Sequence, residues 1–285
     1  MSYDGIVLSG GGSKGMIILG ALNYLVEVDK LDMKNVTHVA GTSIGSAIGL
    51  LLICGYAPME IYSKLLYIED LLGVKSQNFA NIFAKMGMLT MDTYKEVLTT
   101  LVIDKIGHVP TLKELYETTN IHFHITVANI TNMIGECYSW ENYPDVSVVD
   151  AVSYSSAVPF IFEKQISKNG DVVMDGGLVN NYPWNLINNK CRNILGIVLP
   201  GLDESKNLES IMGYMYRIVM LPISELTQQK CRNCPQNVDS IEINIQNIPS
   251  IQFNLTIKDK EMMFLEGNKY AKEHCSRVKL HIIGL

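Results

Sequence analysis

Gly5-Ile-Val-Leu-Ser-Gly10-Gly-Gly-Ser-Lys-Gly15 decides how this chain folds. A short apolar run enters a Gly-rich turn, and the turn leads directly into the apolar helical pattern Met16 to Val28. A strand, a tight turn and a helix in that order aim the free backbone N–H groups of the helix N-terminus at whatever lies above the turn, which makes an anion site. Working outward, further Ile- and Val-rich runs at Val36 to Ala40, Ile121 to Ala128, Val172 to Met174 and Ile194 to Leu199 alternate with helical patterns. Such alternation predicts an α/β fold with a mostly parallel central sheet covered by helices.

Composition agrees with one folded domain over residues 1–285. The chain is 47% hydrophobic and 18% charged, with 22 Gly and 9 Pro spread evenly, and no repeat or linker divides it. A formal charge of −6 disfavours a nucleic-acid partner, because phosphate backbones are held by Lys and Arg. Six cysteines are scattered through a chain too large to need disulfide staples, and the N-terminus lacks the basic and apolar regions of a signal peptide. A cytoplasmic location is therefore expected. The longest apolar stretch, Ile44 to Ala57, is broken by glycines and is shorter than the ~18 residues that span a bilayer, so any membrane contact is expected to be peripheral. Residues 56–118, with Met86, Met88 and Met91 around Gly87, read as a covering helical layer, a mobile lid being the alternative. The helical pattern from Glu204 to Lys230, rich in Met and Tyr, reads as core packing, with lipid contact as the alternative.

The chemistry concentrates in a few residues. Gly10, Gly12 and Gly15 formally match the dinucleotide fingerprint, but the second strand ends in Gly41-Thr-Ser-Ile-Gly45 rather than in the acidic residue that would hold a ribose. Gly41-Thr42-Ser43-Ile44-Gly45 has the Gly-x-Ser-x-Gly form of a nucleophile elbow: a sharp strand-to-helix turn exposes the serine, and side chains at the glycines would strike the neighbouring strand and helix. Serine needs a base. His274 and His281 would serve in an α/β-hydrolase triad, yet that fold places several strands before its nucleophile and only about 40 residues precede Ser43. His122 and His124 share a strand face but have no third metal ligand in view. Asp175, at the end of Val172-Val-Met-Asp and before Gly176-Gly177, would place its carboxylate at the C-terminal edge of the sheet, where open parallel sheets hold ligands. Cys231-Arg-Asn-Cys234 is a candidate half of a zinc site, with His274-Cys275 as its other half.

In order and spacing, Gly10-Gly-Gly-Ser-Lys-Gly15, Gly41-Thr-Ser-Ile-Gly45 and Asp175-Gly-Gly177 resemble the patatin-like phospholipase family. Ala151 to Phe160, with its small residues and Ala-x-Pro, and Asp175 to Pro183, as Asp-Gly-Gly-x-x-x-Asn-x-Pro, extend the resemblance over residues 4–200. The last 85 residues are less distinctive. The resemblance implies a three-layer α/β/α fold and a serine lipid acyl hydrolase that cleaves phospholipid or lysophospholipid esters, independent of calcium and of any cofactor. Ser43 would be the nucleophile, Asp175 the general base and the amides of Gly10, Gly11 and Gly12 the oxyanion hole. Lys14, Gly15, Gly41, Gly45, Gly176 and Gly177 would support the motifs, and the partner would be a lipid ester met at a membrane or lipid aggregate. Two positions depart from the pattern: Lys14 stands where Arg is also common, and Phe160 stands where Gly often follows the proline. A nucleotide-binding module using Gly10 to Gly15 and a catalytically silent lipid-binding scaffold are the rival readings.

Overall fold

A computed structural model describes residues 2–66, 87–200, 211–245 and 255–283. In chain order its elements are β1 (Gly5–Leu8), α1 (Gly15–Glu27), β2 (His38–Gly41), α2 (Ile44–Ile53), α3 (Pro58–Leu66), β3 (Gly87–Leu89), α4 (Asp92–Ile106), α5 (Leu112–Thr119), β4 (His122–Asn129) and β5 (Ile134–Tyr138). They continue with α6 (Val148–Ser156), β6 (Phe160–Phe162), β7 (Gln165–Ile166), β8 (Val172–Asp175), the short α7 (Gly177–Asn180), β9 (Ile194–Val198), α8 (Ile211–Arg232), β10 (Val238–Glu242) and α9 (Ile257–Ile283). Each predicted strand is present within a residue or two of its expected limits.

Eight strands form one sheet in the order β10-β9-β1-β2-β4-β8-β7, with β5 also paired to β4. From β10 to β4 every pair is parallel. The sheet is thus mostly parallel, as expected, and turns antiparallel only beyond β4: β5 and β8 both run against β4, and β7 runs against β8. The reason is the connection lengths. Hairpin-scale links such as Asn129 to Ile134 are too short for the crossover that a parallel partner requires.

Side-chain alternation divides the sheet into two unlike faces. Ile6, Leu8, Val39, Phe123, Ile125, Val127, Leu195 and Ile197 face the larger core with α1, α2, α6 and α9. Val7, Ala40, Ile194, Val198 and Val238 face a smaller cluster closed by Tyr182, Ile187 and Cys191. Helix α2 is buried almost throughout, which explains why its sequence reads as one apolar run. Helix α9, from the less distinctive C-terminal part, lies directly on α1, where two glycines meet reciprocally. A Cβ on Gly20 would sit 1.9 Å from the Phe264 carbonyl oxygen, and one on Gly267 would sit 2.0 Å from that of Ile17.

The helical layer expected over residues 56–118 is present as α3, α4 and α5, whose buried residues include Ile61, Tyr94, Leu98, Val102 and Leu115. Met91 is buried with them, whereas Met86 and the Met88 side chain lie outside the described residues. The core-packing expectation for Glu204 to Lys230 is overturned in the first half of α8. Ile211, Tyr214, Ile218 and Leu221 point to solvent, because only the opposite side of that half meets the protein. Among the described residues, no helix is long and apolar enough to cross a membrane.

Candidate active site

The site lies at the edge of the sheet where β1 and β2 end. Register explains how Asp175 reaches it from an antiparallel strand. Gly41, the last residue of β2, pairs with Ile125, but β4 runs on to Asn129. On its β4 side, strand β8 pairs with this overhang, descending from Val173 opposite Asn129 to Asp175 opposite Val127. Asp175 thus stops two positions above the level at which β2 turns toward Ser43. The sequence placed Asp175 at the right edge while implying the wrong strand direction.

Ser43 occupies the elbow between β2 and α2 with φ 53° and ψ −130°, a left-handed backbone that costs a non-glycine residue ~1–3 kcal/mol. The flanking glycines permit it by close approach. A Cβ on Gly41 would lie 2.7 Å from the Ser46 backbone, and one on Gly45 would lie 2.4 Å from the Leu8 carbonyl oxygen. The Ser43 hydroxyl lies beside the Asp175 carboxylate, whose Oδ1 accepts the Gly177 N–H at 2.7 Å. Burial raises the Asp175 carboxyl, the Ser43 hydroxyl and the Gly177 N–H oppose it by favouring the carboxylate, and the balance is a rise to about 6. Both members of the pair are almost fully buried.

Gly10, Gly11, Gly12, Lys14, Ser43, Asp175 and Gly177 line one cavity of about 50 Å³, bordered also by Tyr216, Met220, Ile223 and Thr227 of α8. The Gly10 amide does not point into it. Its N–H donates to the Asn181 carbonyl at 3.1 Å, so the donors left to the cavity from this loop are those of Gly11 and Gly12. Gly15 starts α1 against Ile44, and the Lys14 side chain is buried in the cavity wall. A Cβ on Gly176 would lie 2.1 Å from the Thr126 carbonyl oxygen, so that glycine lets the Asp175 turn sit against β4.

Two residues that the motif reading left without a role tie the site together. Ser155 of α6 accepts the Ser43 backbone N–H at 2.9 Å and donates to the Thr126 carbonyl of β4 at 2.6 Å. Its own carbonyl accepts the Gly176 N–H at 3.2 Å, so one residue touches the elbow, β4 and the Asp175 turn. Asn181 joins the Asp175 turn to the first glycine loop through its carbonyl, while its side chain donates to Thr227 of α8 at 3.1 Å. Both stand inside the segments Ala151 to Phe160 and Asp175 to Pro183, so the motif signal was present but not its geometry. Phe160 has φ 67°, which accounts physically for the glycine expected after the proline.

Of the two histidine candidates, the side chain of His281 lies outside the described residues. His274 Nε2 is 2.6 Å from Asp239 on the larger-core face, and none of the described residues lining the cavity is a histidine. The zinc candidates are parted by the sheet. Cys234 contacts the Ser240 hydroxyl at 3.2 Å, whereas His274 meets Asp239, and consecutive strand residues point to opposite faces. Among the described residues, no group of three or more His, Cys, Asp and Glu is arranged to hold a metal ion. His122 and His124 instead stack with His38, with ring centroids 4.5 to 6.4 Å apart.

Comparison with known proteins agrees with this architecture. The chain is 31% identical over 189 residues to "Probable lipid hydrolase 463L" of Invertebrate iridescent virus 6, a match covering 64% of this chain and 62% of that relative. It is 27% identical over 288 residues to protein R571 of Acanthamoeba polyphaga mimivirus, covering 97% of this chain and 95% of the relative. The crystal structure of VipD from Legionella pneumophila shares the fold with a TM-score of 0.58 at 18% identity, covering 96% of this chain and 67% of VipD. The model of the family described as patatin-like phospholipase matches residues 6–187, and the chain belongs to that family.

Proposed function

We propose that the chain, acting as one domain over residues 1–285, hydrolyses acyl esters of phospholipids or lysophospholipids, with Ser43 as nucleophile and Asp175 as general base. The observation that carries this reading is the juxtaposition, in one cavity, of a hydroxyl held on a strained elbow and a buried carboxylate poised near neutrality. Asp175 takes the Ser43 proton as Oγ adds to the ester carbonyl, and the oxygen that becomes negative is received by the Gly11 and Gly12 amides. Collapse of the tetrahedral species breaks the ester C–O bond, and Asp175 returns the proton to the departing alcohol. Water then attacks the acyl-serine by the same route, releasing the fatty acid and restoring Ser43.

The magnitudes support this division of labour. A general base supplies ~10²- to 10⁴-fold, and its efficiency rises as its pKa approaches the working pH. A carboxyl raised to about 6 is therefore a better match than an ordinary one. Each oxyanion donor is worth ~3 kcal/mol, which only a glycine backbone can deliver at such close range. Activated esters and lipid esters suit a dyad whose acid is weakly matched to an amide leaving group. The lipid aggregate is the partner from which substrate is drawn.

Intact-mass measurement after a fluorophosphonate probe, with calcium chelated, tests the assignment. A single adduct on wild type and none on Ser43→Ala is expected, with His274→Ala labelled like wild type. An unlabelled, folded wild type, or equal labelling of Ser43→Ala, would overturn it.

A further inference from the structure

Helix α8 has two dissimilar halves. From Ile223 onward it is fastened to the body: Thr227 accepts the Asn181 amide, and the Lys230 carbonyl accepts the Trp184 indole N–H at 3.2 Å. Pro222 marks the junction and offers no N–H to the Ile218 carbonyl, so the helix ladder is interrupted there. Before Pro222 the inward side, Tyr216 and Met220, borders the cavity that Ser43 lines. The outward side is Ile211, Tyr214, Ile218 and Leu221, spaced by three and four residues and between 54% and 79% exposed. A surface helix normally turns charge to water, yet Arg217 is the only charged residue between Ile211 and Pro222.

A second apolar group projects from the same edge of the sheet. Strand β4 overruns β2 toward the site, and the turn that follows it carries Met133 and Ile134, 84% and 51% exposed. Two unrelated elements, one lining the cavity with its inner side and one at the sheet edge that holds the site, therefore present large apolar side chains where a soluble surface would be polar.

We infer that the outward stripe of α8, with the β4–β5 turn as a second contact, is the surface through which the protein docks on lipid, its side chains entering the boundary between headgroups and acyl chains. This rests on the hydrolase reading, which requires a substrate drawn from a lipid aggregate. The stripe is continuous with the α8 wall of the cavity, so docking there brings the ester to the cavity without crossing water. The cavity itself, at about 50 Å³, is far below the ~300 Å³ of a ligand pocket, so an acyl chain enters alongside the stripe-bearing half of α8. A chain of net charge −6 with one cation on the stripe fits a zwitterionic surface rather than an anionic one.

The test is co-sedimentation with phosphatidylcholine vesicles, run beside turnover of a water-soluble short-chain ester. Ile218→Asp with Leu221→Asp should weaken vesicle binding at least ~10-fold while soluble-ester turnover stays within about twofold. Met133→Asp should weaken binding by a smaller factor, and Val28→Asp, exposed at the opposite end of α1, should leave it unchanged. Undiminished vesicle binding by the double variant, or no vesicle binding by wild type, would overturn the inference. So would a dimer in wild type that the double variant dissolves without loss of vesicle binding, because a second copy would then cover the stripe. Stripe-dependent vesicle binding with no ester turnover by wild type would uphold docking and overturn hydrolysis instead.

Discussion

Strand β4 carries a buried titratable cluster at each end, and the two are built oppositely. Near its start, His122 and His124 stack with His38; near its finish, Val127 pairs with Asp175. Burial drives both clusters toward neutrality, lifting the Asp175 carboxyl to about 6 and pressing His124 down to about 3. What differs is the compensation. Asp175 accepts the Gly177 N–H and lies beside the Ser43 hydroxyl, and both favour its charged form. His124 has a buried Nε2 with no hydrogen-bond partner, and Lys190, His38 and His122 further oppose its protonation. A buried group marks a candidate site when its surroundings are arranged to hold its charge, and burial without that arrangement marks structure.

Removing the charge at the compensated end should have the largest effect. Asp175→Asn is expected to lower ester turnover by ~10³- to 10⁴-fold while raising stability at pH 7. Because the carboxyl is raised in the folded state, its stabilising contribution is fully present below the ordinary carboxylate range and is lost as pH rises through about 6. The asparagine escapes that loss, so urea unfolding should show a gain of about 3 kcal/mol at pH 7 that vanishes near pH 4. Wild-type turnover should correspondingly fall on the acid side with a midpoint near 6. A variant that is less stable at pH 7 would break the comparison.

An intermediate effect is expected where the compensation is indirect. Ser155→Ala strands the Ser43 N–H and the Thr126 carbonyl, costing about 2 kcal/mol in stability, and loosens the elbow enough to lower kcat ~10- to 100-fold. Ser155→Thr, which keeps the hydroxyl, should recover most of kcat, as read by steady-state kinetics on a soluble ester.

The smallest effect belongs to the histidine end. A histidine depressed by burial contributes stability that is present above its ordinary value and lost as pH falls toward the folded one. Between pH 7 and pH 5, His124 should therefore cost wild type about 2 kcal/mol, a loss that His124→Gln avoids, with turnover at pH 7 unchanged. Equal acid sensitivity in the two proteins, measured by urea unfolding at both pH values, would show that the stack accommodates charge after all.

Local signals carried much of this molecule. Gly10 to Gly15 and Gly41 to Gly45 were readable because glycine at a crowded turn has few other uses, and the structure shows backbone within 3 Å of the missing side chains at Gly41 and Gly45. Strand limits near Gly5, Val36, Ile121, Val172 and Ile194 followed from apolar runs. Less legible was the direction of β8, because a short apolar strand reads alike in either sense. The exposure of Ile211, Tyr214, Ile218 and Leu221 was equally hidden, since an apolar stripe has the same spacing whether it meets a core or faces outward.

By itself the sequence determined the elbow, the glycine loop, the carboxylate candidate and the α/β class, each of which depends on residues adjacent along the chain. Only the tertiary structure decided that β4 overhangs β2, so that Asp175 descends onto Ser43, that the Gly10 amide is taken by Asn181, and that Ser155 holds the elbow from a third element. Those contacts join residues far apart in the chain, and their energies depend on register and burial, which no local pattern encodes.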